Sequence, residues 1–241
     1  MSTAALVLAA GRGERLGQPI PKAFVSLAGT PLLVRSLEAM AAVPEVDRVV
    51  PVVPPNDLRR WSAMAVVGVG SQQLREKLAG AISGGTRRQD SVAAGLASLG
   101  RSVEWVAVHD AARCLVTPED ASRVIRRAQQ CGAAILAEPV RDTIKRVRGG
   151  RILETPPREE CWVAQTPQVF RLELLREALA KAEAEGVLGT DDAQLVERLG
   201  VEVQVVPSRS PNWKITLPED LVNAEHWLAR GRAPLDGELD S

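Results

Sequence analysis

The chain has 241 residues, of which 45% are apolar and 25% charged, and thirty Lys and Arg balance thirty Asp and Glu. That length allows one large domain or two small ones and can bury a core without metal or disulfide staples, and the composition excludes wholesale disorder. Zero net charge argues against nucleic-acid or membrane-surface binding driven by bulk charge, and the absence of Tyr argues against an aromatic platform for single strands. Cys114, Cys131 and Cys161 are too few and too widely spaced for a disulfide framework or a zinc site, and they suit a reducing, cytoplasmic compartment.

The opening run MSTAALVLAAGRG carries no basic residue ahead of its short apolar stretch. It reads as a buried strand over Ala4–Ala9, not as a signal peptide or a membrane span. Thr30-Pro31 opens a helix through about Ala42, with Leu33, Leu37, Met40 and Ala41 on one face. Arg48–Val53 is a second strand, in which Pro51 marks a bulge or an edge. A weaker strand ends near Ser83, ahead of Gly84-Gly85, and Gln89–Leu99 is helical with Val92, Leu96 and Leu99 in register. Val103–Val108 is a strand, Thr117-Pro118-Glu119-Asp120 starts a helix that ends near Cys131, and Ala133–Ala137 is a strand again. This alternation of apolar strands and helices predicts a mostly parallel sheet covered on both faces.

After Pro139 the rhythm breaks. Thr143–Val147 and Ile152–Thr155 flank Arg148-Gly149-Gly150-Arg151, which reads as a β-hairpin. Such an arm, spanning about 139–158 and rich in Arg and Lys, cannot stand alone and is expected to pack on a second subunit. Arg171–Glu185 and Thr190–Leu199 read as helices, Val201–Val206 as a strand and Pro218–Ala229 as the last helix, with a polar, frayed tail over 231–241. Residues 1–230 are taken as a single domain.

Chemistry concentrates in Leu8–Lys22, LAAGRGERLGQPIPK. Glycines at the carboxyl end of a first parallel strand let backbone N–H groups approach a phosphate or base, and Arg15 and Lys22 can neutralise phosphate oxygens. A dinucleotide-binding loop fits poorly. Gly11, Gly13 and Gly17 are spaced GxGxxxG, and Pro19 and Pro21 occupy the place of the required helix. No GKS or GKT follows, so a Walker A loop is excluded as well. The stiff Pro19-Ile20-Pro21 arm suits Lys22 to act as a charge clamp. At the end of the Val103–Val108 strand, Asp110 is suited to Mg²⁺, which takes one or two carboxylates and leaves its other positions to phosphates and water; a helix-capping role fits its position equally well. His109 is assigned no catalysis. Gly84-Gly85-Thr86-Arg87-Arg88-Gln89-Asp90-Ser91 is a second turn whose backbone and Ser91 can meet a base or phosphate, its arginines passing as a solvated face. Lys214 follows Pro211 ahead of the last helix.

Together LAAGRGERLGQPIPK, GGTRRQDSV, VHDAARCL, PVRDTIK, WVAQTPQVF, TDDAQLVE and NWKIT resemble, in order and spacing, the 2-C-methyl-D-erythritol 4-phosphate cytidylyltransferases. The resemblance covers about residues 4–229. It implies an α/β, Rossmann-like nucleotidyltransferase fold with a protruding β-arm that builds a homodimer. It also implies transfer of CMP from CTP to methylerythritol phosphate with release of pyrophosphate, in non-mevalonate isoprenoid synthesis. By motif, Arg15, Lys22 and Lys214 would act at the phosphates, and Asp110 would hold Mg²⁺ or another divalent cation. Ala9, Ala10, Gly11, Gly13, Gly85, Ser91 and Ala111 would bind the nucleotide. Arg113, Thr143, Arg158, Thr166 and Thr190 would bind the polyol phosphate, Arg158 reaching the partner subunit's site. The chain departs from the family's usual pattern at Ala23-Phe24, Cys114 and Thr86; at Thr86, where an acid is common, the departure weakens any contact from that side chain to ribose. Neither nucleic acid nor a membrane is an expected partner. A ribitol 5-phosphate cytidylyltransferase is the nearest alternative, with a non-catalytic nucleotide-binding module and an NAD-linked oxidoreductase behind it.

Overall fold

In a computed structural model the described residues are 1–10, 16–17, 20–66 and 70–231. In chain order they form β1 (Thr3–Leu8), β2 (Ser26–Leu27), β3 (Thr30–Pro31), α1 (Leu32–Ala41), β4 (Arg48–Val53), α2 (Leu58–Val66), α3 (Gln72–Lys77), β5 (Ile82–Ser83), α4 (Arg88–Ala97) and β6 (Trp105–Asp110). There follow α5 (Pro118–Cys131), β7 (Ala133–Pro139), β8 (Arg146–Arg148), β9 (Arg151–Glu154), β10 (Trp162–Arg171), α6 (Leu172–Ala184), α7 (Asp192–Glu197), β11 (Gln204–Pro207) and α8 (Pro218–Ala229). The tail beyond residue 231 lies outside the described residues. Among those residues no helix is long and apolar enough to cross a membrane.

Seven strands make one sheet in the order β11-β7-β10-β6-β1-β4-β5. The pairs β1/β4, β1/β6, β4/β5 and β7/β11 are parallel, and β10 runs antiparallel between β6 and β7. Strand residues alternate between faces, and each face has its own core. Ala5 and Val7 of β1 pack with α1 and α5 through Leu33, Leu37, Val124 and Ile125. Ala4, Leu6 and Leu8 pack with α4, α6 and α7 through Val92, Leu96, Leu175 and Val196. This is the sheet covered on both faces that the apolar periodicity predicts.

Local chemistry explains the clearest boundaries. Thr117 Oγ1 accepts from Asp120 N at 3.2 Å and Pro118 follows at the first turn of α5, which ends at Gly132 with φ +96°. Gly149 and Gly150, at φ +55° and +75°, supply the two left-handed residues that a tight hairpin turn between β8 and β9 needs. Every residue of both hairpin strands is exposed.

Pro51 marks neither a bulge nor an edge, because β4 pairs in unbroken register with β1 and also has β5 beside it. Val49 and Val53 direct their carbonyls to Ala79 and Gly84. Pro51 has the same parity, so its missing N–H faces the thinly paired β5 side and costs no bond to β1. Strand β10 is a larger correction: the sequence reading opens a helix at Arg171 and assigns no strand to 162–170. Polar Gln165, Thr166 and Gln168 and the interrupting Pro167 hide it, and its register with β7 shifts between Ala164 and Gln168, where Pro167 falls. The last strand begins at Gln204, not Val201, and the helix expected from Thr190 begins at Asp192. Helices α2 and α3 are additions.

Candidate active site

Strand β1 lies between β4 and β6, so the chain crosses from one side of it to the other, and ligands of open α/β sheets gather at the carboxyl ends around such a switch point. A cavity of about 170 Å³ opens there, lined by Leu8, Ala9, Ala10, Lys22, Ala23, Leu32, Gly85, Thr86, Arg87, Arg88, Ser91, Asp110, Ala111, Ala112 and Lys214. Six separate parts of the chain therefore meet. The end of β1, the turn at Lys22, the start of α1, the turn and first residues of α4, the end of β6 and the segment before α8 share one concave surface.

Backbone bonds lock these parts together. Ala111 N donates to Leu8 O at 2.9 Å, Ile215 N to Ala112 O at 2.8 Å, and the buried Ser36 hydroxyl of α1 to Ala111 O at 2.9 Å. Ser91 Oγ accepts from Gly85 N at 3.1 Å and donates to Arg87 O, which closes the turn. A Cβ on Gly84 would lie 2.6 Å from Ala10 Cβ and 2.8 Å from Ser91 Oγ, so only glycine lets the two loops approach this closely. Lys22 opens a 3-10 turn over Lys22–Phe24, whose Phe24 ring is buried with the Arg60 guanidinium 5.5 Å from its centroid.

Asp110 is the electrostatic centre of the described cleft. Lys214 Nζ donates to its Oδ2 at 2.6 Å and Arg88 Nε to its Oδ1 at 3.4 Å. Burial pushes the Asp110 carboxyl up, but Arg88 and Lys214 more than offset this and hold it well below the ordinary carboxylate range. Its backbone N donates to Thr166 Oγ1 at 3.0 Å, and that hydroxyl also lies 3.0 Å from His109 Nδ1. Burial lowers His109 to about 4, so the imidazole is neutral near pH 7 and serves the fold beneath Asp110.

The positions that the family resemblance assigns to the polyol phosphate are more scattered. Arg113 donates to Asn212 O at 2.8 Å and to Ala164 O at 3.2 Å, tying the end of β6 to β10 and to the Lys214 segment. Thr166 is buried beneath Asp110, and Thr190 N donates to Gln194 Oε1 at the start of α7. Thr143 and Arg158 lie on the exposed arm and do not line the cleft of their own chain; Arg158 donates to Arg141 O at 3.2 Å. Gly11, Gly13 and Arg15 lie outside the described residues.

Sequence reasoning misses Arg88 and Asp192, because it takes the turn containing Arg88 for a solvated face. Arg87 fits that reading with its side chain 56% exposed, whereas Arg88 turns inward, 29% exposed, and bridges Asp110 and Asp192. A usable signal is Asp90 two residues on, which accepts from Arg87 N at 3.1 Å and starts α4 so that the next guanidinium faces the sheet. Gln168 is missed with its strand; its Oε1 accepts from Asp192 N and Ala193 N, both at 3.1 Å.

Compared with known proteins, residues 3–230 match the family model described as IspD, 2-C-methyl-D-erythritol 4-phosphate cytidylyltransferase. The chain is 44% identical over 223 residues to the protein of that name from Pelotomaculum thermopropionicum, covering 92% of each chain. It superposes with a TM-score of 0.83 on the crystal structure of 4-diphosphocytidyl-2C-methyl-D-erythritol synthase from Anaerococcus prevotii, at 28% identity and covering 95% of this chain and 96% of that one. A crystal structure of 2-C-methyl-D-erythritol 4-phosphate cytidylyltransferase from Thermus thermophilus gives a TM-score of 0.74 at 36% identity, covering 95% of this chain and all of that one.

Proposed function

Because the chain belongs to the 2-C-methyl-D-erythritol 4-phosphate cytidylyltransferase family, we infer that its cleft transfers CMP from CTP to 2-C-methyl-D-erythritol 4-phosphate through a cage of cations at the switch point of the sheet. The products are 4-diphosphocytidyl-2-C-methyl-D-erythritol and pyrophosphate, in the supply of isoprenoid precursors. The observation that carries the reading is the gathering of Lys22, Lys214 and Asp110 beside the small residues Ala9, Ala10, Gly85 and Ala111 in one cleft.

The substrate's phosphate oxygen attacks the α-phosphorus of CTP in line, and pyrophosphate leaves. The difficulty is to bring two polyanions together and to stabilise the charge on the reacting phosphoryl group. In this reading Arg15, Lys22 and Lys214 neutralise the phosphates, and the contact from Lys214 to Asp110 preorganises its ammonium group. Gly11, Gly13 and the Gly85–Ser91 turn offer backbone N–H groups and a hydroxyl to the nucleotide, with Ala9, Ala10 and Ala111 admitting it closely. Arg113, Thr143, Arg158, Thr166 and Thr190 receive the polyol phosphate.

The donor set fits a magnesium ion. Asp110 is an ionised carboxylate inside the cleft, and among the described residues no group of three or more His, Cys, Asp or Glu could complete a protein cage. Remaining ligands would come from phosphate and water, as magnesium prefers. When bound there, the ion would withdraw charge from the phosphates.

A homodimer built by the arm is the reading that best accounts for exposed Val147, Ile152, Leu153 and Val163, since an isolated hairpin is marginal in water. It would carry Arg158 and Thr143 toward the partner's cleft. The continuous seven-stranded sheet supports 1–230 as one catalytic domain, and the free thiols of Cys114, Cys131 and Cys161 favour a cytoplasmic setting.

The test is pyrophosphate release from CTP with methylerythritol phosphate, with and without Mg²⁺, and with ribitol 5-phosphate in competition. Release that requires methylerythritol phosphate supports the reading. Preference for ribitol phosphate, or no release from either, overturns it.

A further inference from the structure

Asp192 opens α7 with its side chain 1% exposed. Arg88 Nη2 donates to its Oδ2 at 2.7 Å, while its Oδ1 has no hydrogen-bond partner among the described residues. Arg88 therefore offsets part of the burial of that carboxylate, which burial still pushes above the ordinary carboxylate value. The same guanidinium reaches Asp110 through Nε, and Asp110 holds Lys214. Lys214, Asp110, Arg88 and Asp192 thus form a continuous chain of alternating charge from the segment before α8, through the end of β6 and the start of α4, to the start of α7.

The neighbouring bonds repeat this connection. Gln89 Nε2 lies 3.4 Å from Val187 O, and Gly189 N lies 3.4 Å from Gln89 Oε1, so the first turn of α4 also grips the loop leading to Thr190. That turn is continuous with Gly85 and Ser91 on the nucleotide side. One helix start therefore faces both halves of the cleft, and a two-pronged guanidinium can bridge two carboxylates where a single ammonium cannot.

We propose that Arg88 is a positioning residue that couples the nucleotide half of the cleft to the acceptor loop, so that CTP and the polyol phosphate strengthen each other's binding through the Asp110–Arg88–Asp192 bridge. This rests on the function proposed above. Occupation of the phosphate site by CTP draws on Asp110 and Lys214, and Arg88 transmits the adjustment to Asp192 and Thr190. Linkage requires the effect to be reciprocal.

The probe is the non-transferable α,β-methylene analogue of CTP with Mg²⁺, titrated calorimetrically with and without methylerythritol 4-phosphate. Wild-type protein should bind the analogue at least fivefold more tightly when the polyol phosphate is present, within the roughly 5- to 150-fold range usual for coupled sites. In Arg88→Lys the ratio should fall below twofold, with the analogue's own affinity changed less than the KM for the polyol phosphate. The double variant R88Q/D192N, which leaves no unpaired buried charge, should fold and show the same loss if the single variant does not fold. An uncoupled wild type, or a full ratio in either folded variant, overturns the inference. Wild-type turnover assayed in parallel separates that result from failure of the assigned reaction, which would abolish turnover itself.

Discussion

Lys22 and Lys214 reach one cleft from residues far apart in the chain, where preorganised cations can stabilise charge that builds on a reacting phosphoryl group. Removing one should cost on the order of 3 kcal/mol, about a hundredfold in rate. Lys22→Ala and Lys214→Ala should each depress turnover by about that factor, Lys22→Ala with a melting temperature close to wild type and Lys214→Ala with a lowered one, because Asp110 then keeps only Arg88 as a cationic partner; near-normal turnover in both would defeat the mechanism. Cys114 offers a separate test at the same scale. Burial pushes its thiol up to about 12 from an ordinary 9, so the unfolded chain releases that proton first. The stabilisation it contributes is complete below pH 9 and declines as pH rises from 9 toward 12, by up to about 1.4 kcal/mol per pH unit. Urea unfolding at pH 8 and pH 10 should show a smaller drop for Cys114→Ala than for wild type, and equal drops would count against a buried, protonated thiol. Asp110, Lys214 and Lys22 were legible as candidates because each follows a strand end or a proline-stiffened arm. The inward turn of Arg88 was not, because two adjacent arginines differ only in which side of the helix start they face.

Elements place these side chains with little freedom. A Cβ on Gly85 would come within 2.3 Å of Asp90 Cβ and 3.3 Å of its backbone carbon, so the start of α4 would have to move. Gly85→Ala should cost about 1–3 kcal/mol as overpacking. In a chain of this size each kcal/mol lowers Tm by roughly 2–4 °C. It should also weaken CTP binding, because Gly85 N and Ser91 Oγ close the same turn. Calorimetric melting together with nucleotide titration checks both effects, and an unchanged melt would sink the steric argument. Strand β10 shows why an element that matters can be unreadable. Gln165, Thr166 and Gln168 sit in a central strand because each is consumed by a tertiary partner: Asn212, Asp110 and the N-terminus of α7. A polar strand satisfied by distant groups carries no period-2 apolar signature.

For the whole molecule, the exposed arm carries the strongest expectation. Ile152 is 63% exposed and touches no core cluster, so Ile152→Asp should leave the fold of a single chain intact while disfavouring assembly. Sedimentation should find the wild type dimeric, as the proposed assembly requires, and this variant monomeric, with turnover falling alongside if Arg158 works in the partner's cleft. A dimer that persists would remove the arm from the interface. Composition, the alternation of apolar strands with helices, the Gly149-Gly150 hairpin and the ordered motifs were enough to determine the α/β class and the family and to nominate the strand ends around the cleft, because those signals are carried by short, chain-local patterns. Only the tertiary structure decided that β10 runs antiparallel through the middle of the sheet, that Pro51 turns its missing donor toward β5, and that Arg88 spans Asp110 and Asp192. Each of these depends on which distant group satisfies a polar atom, and chain-local patterns carry no record of that choice.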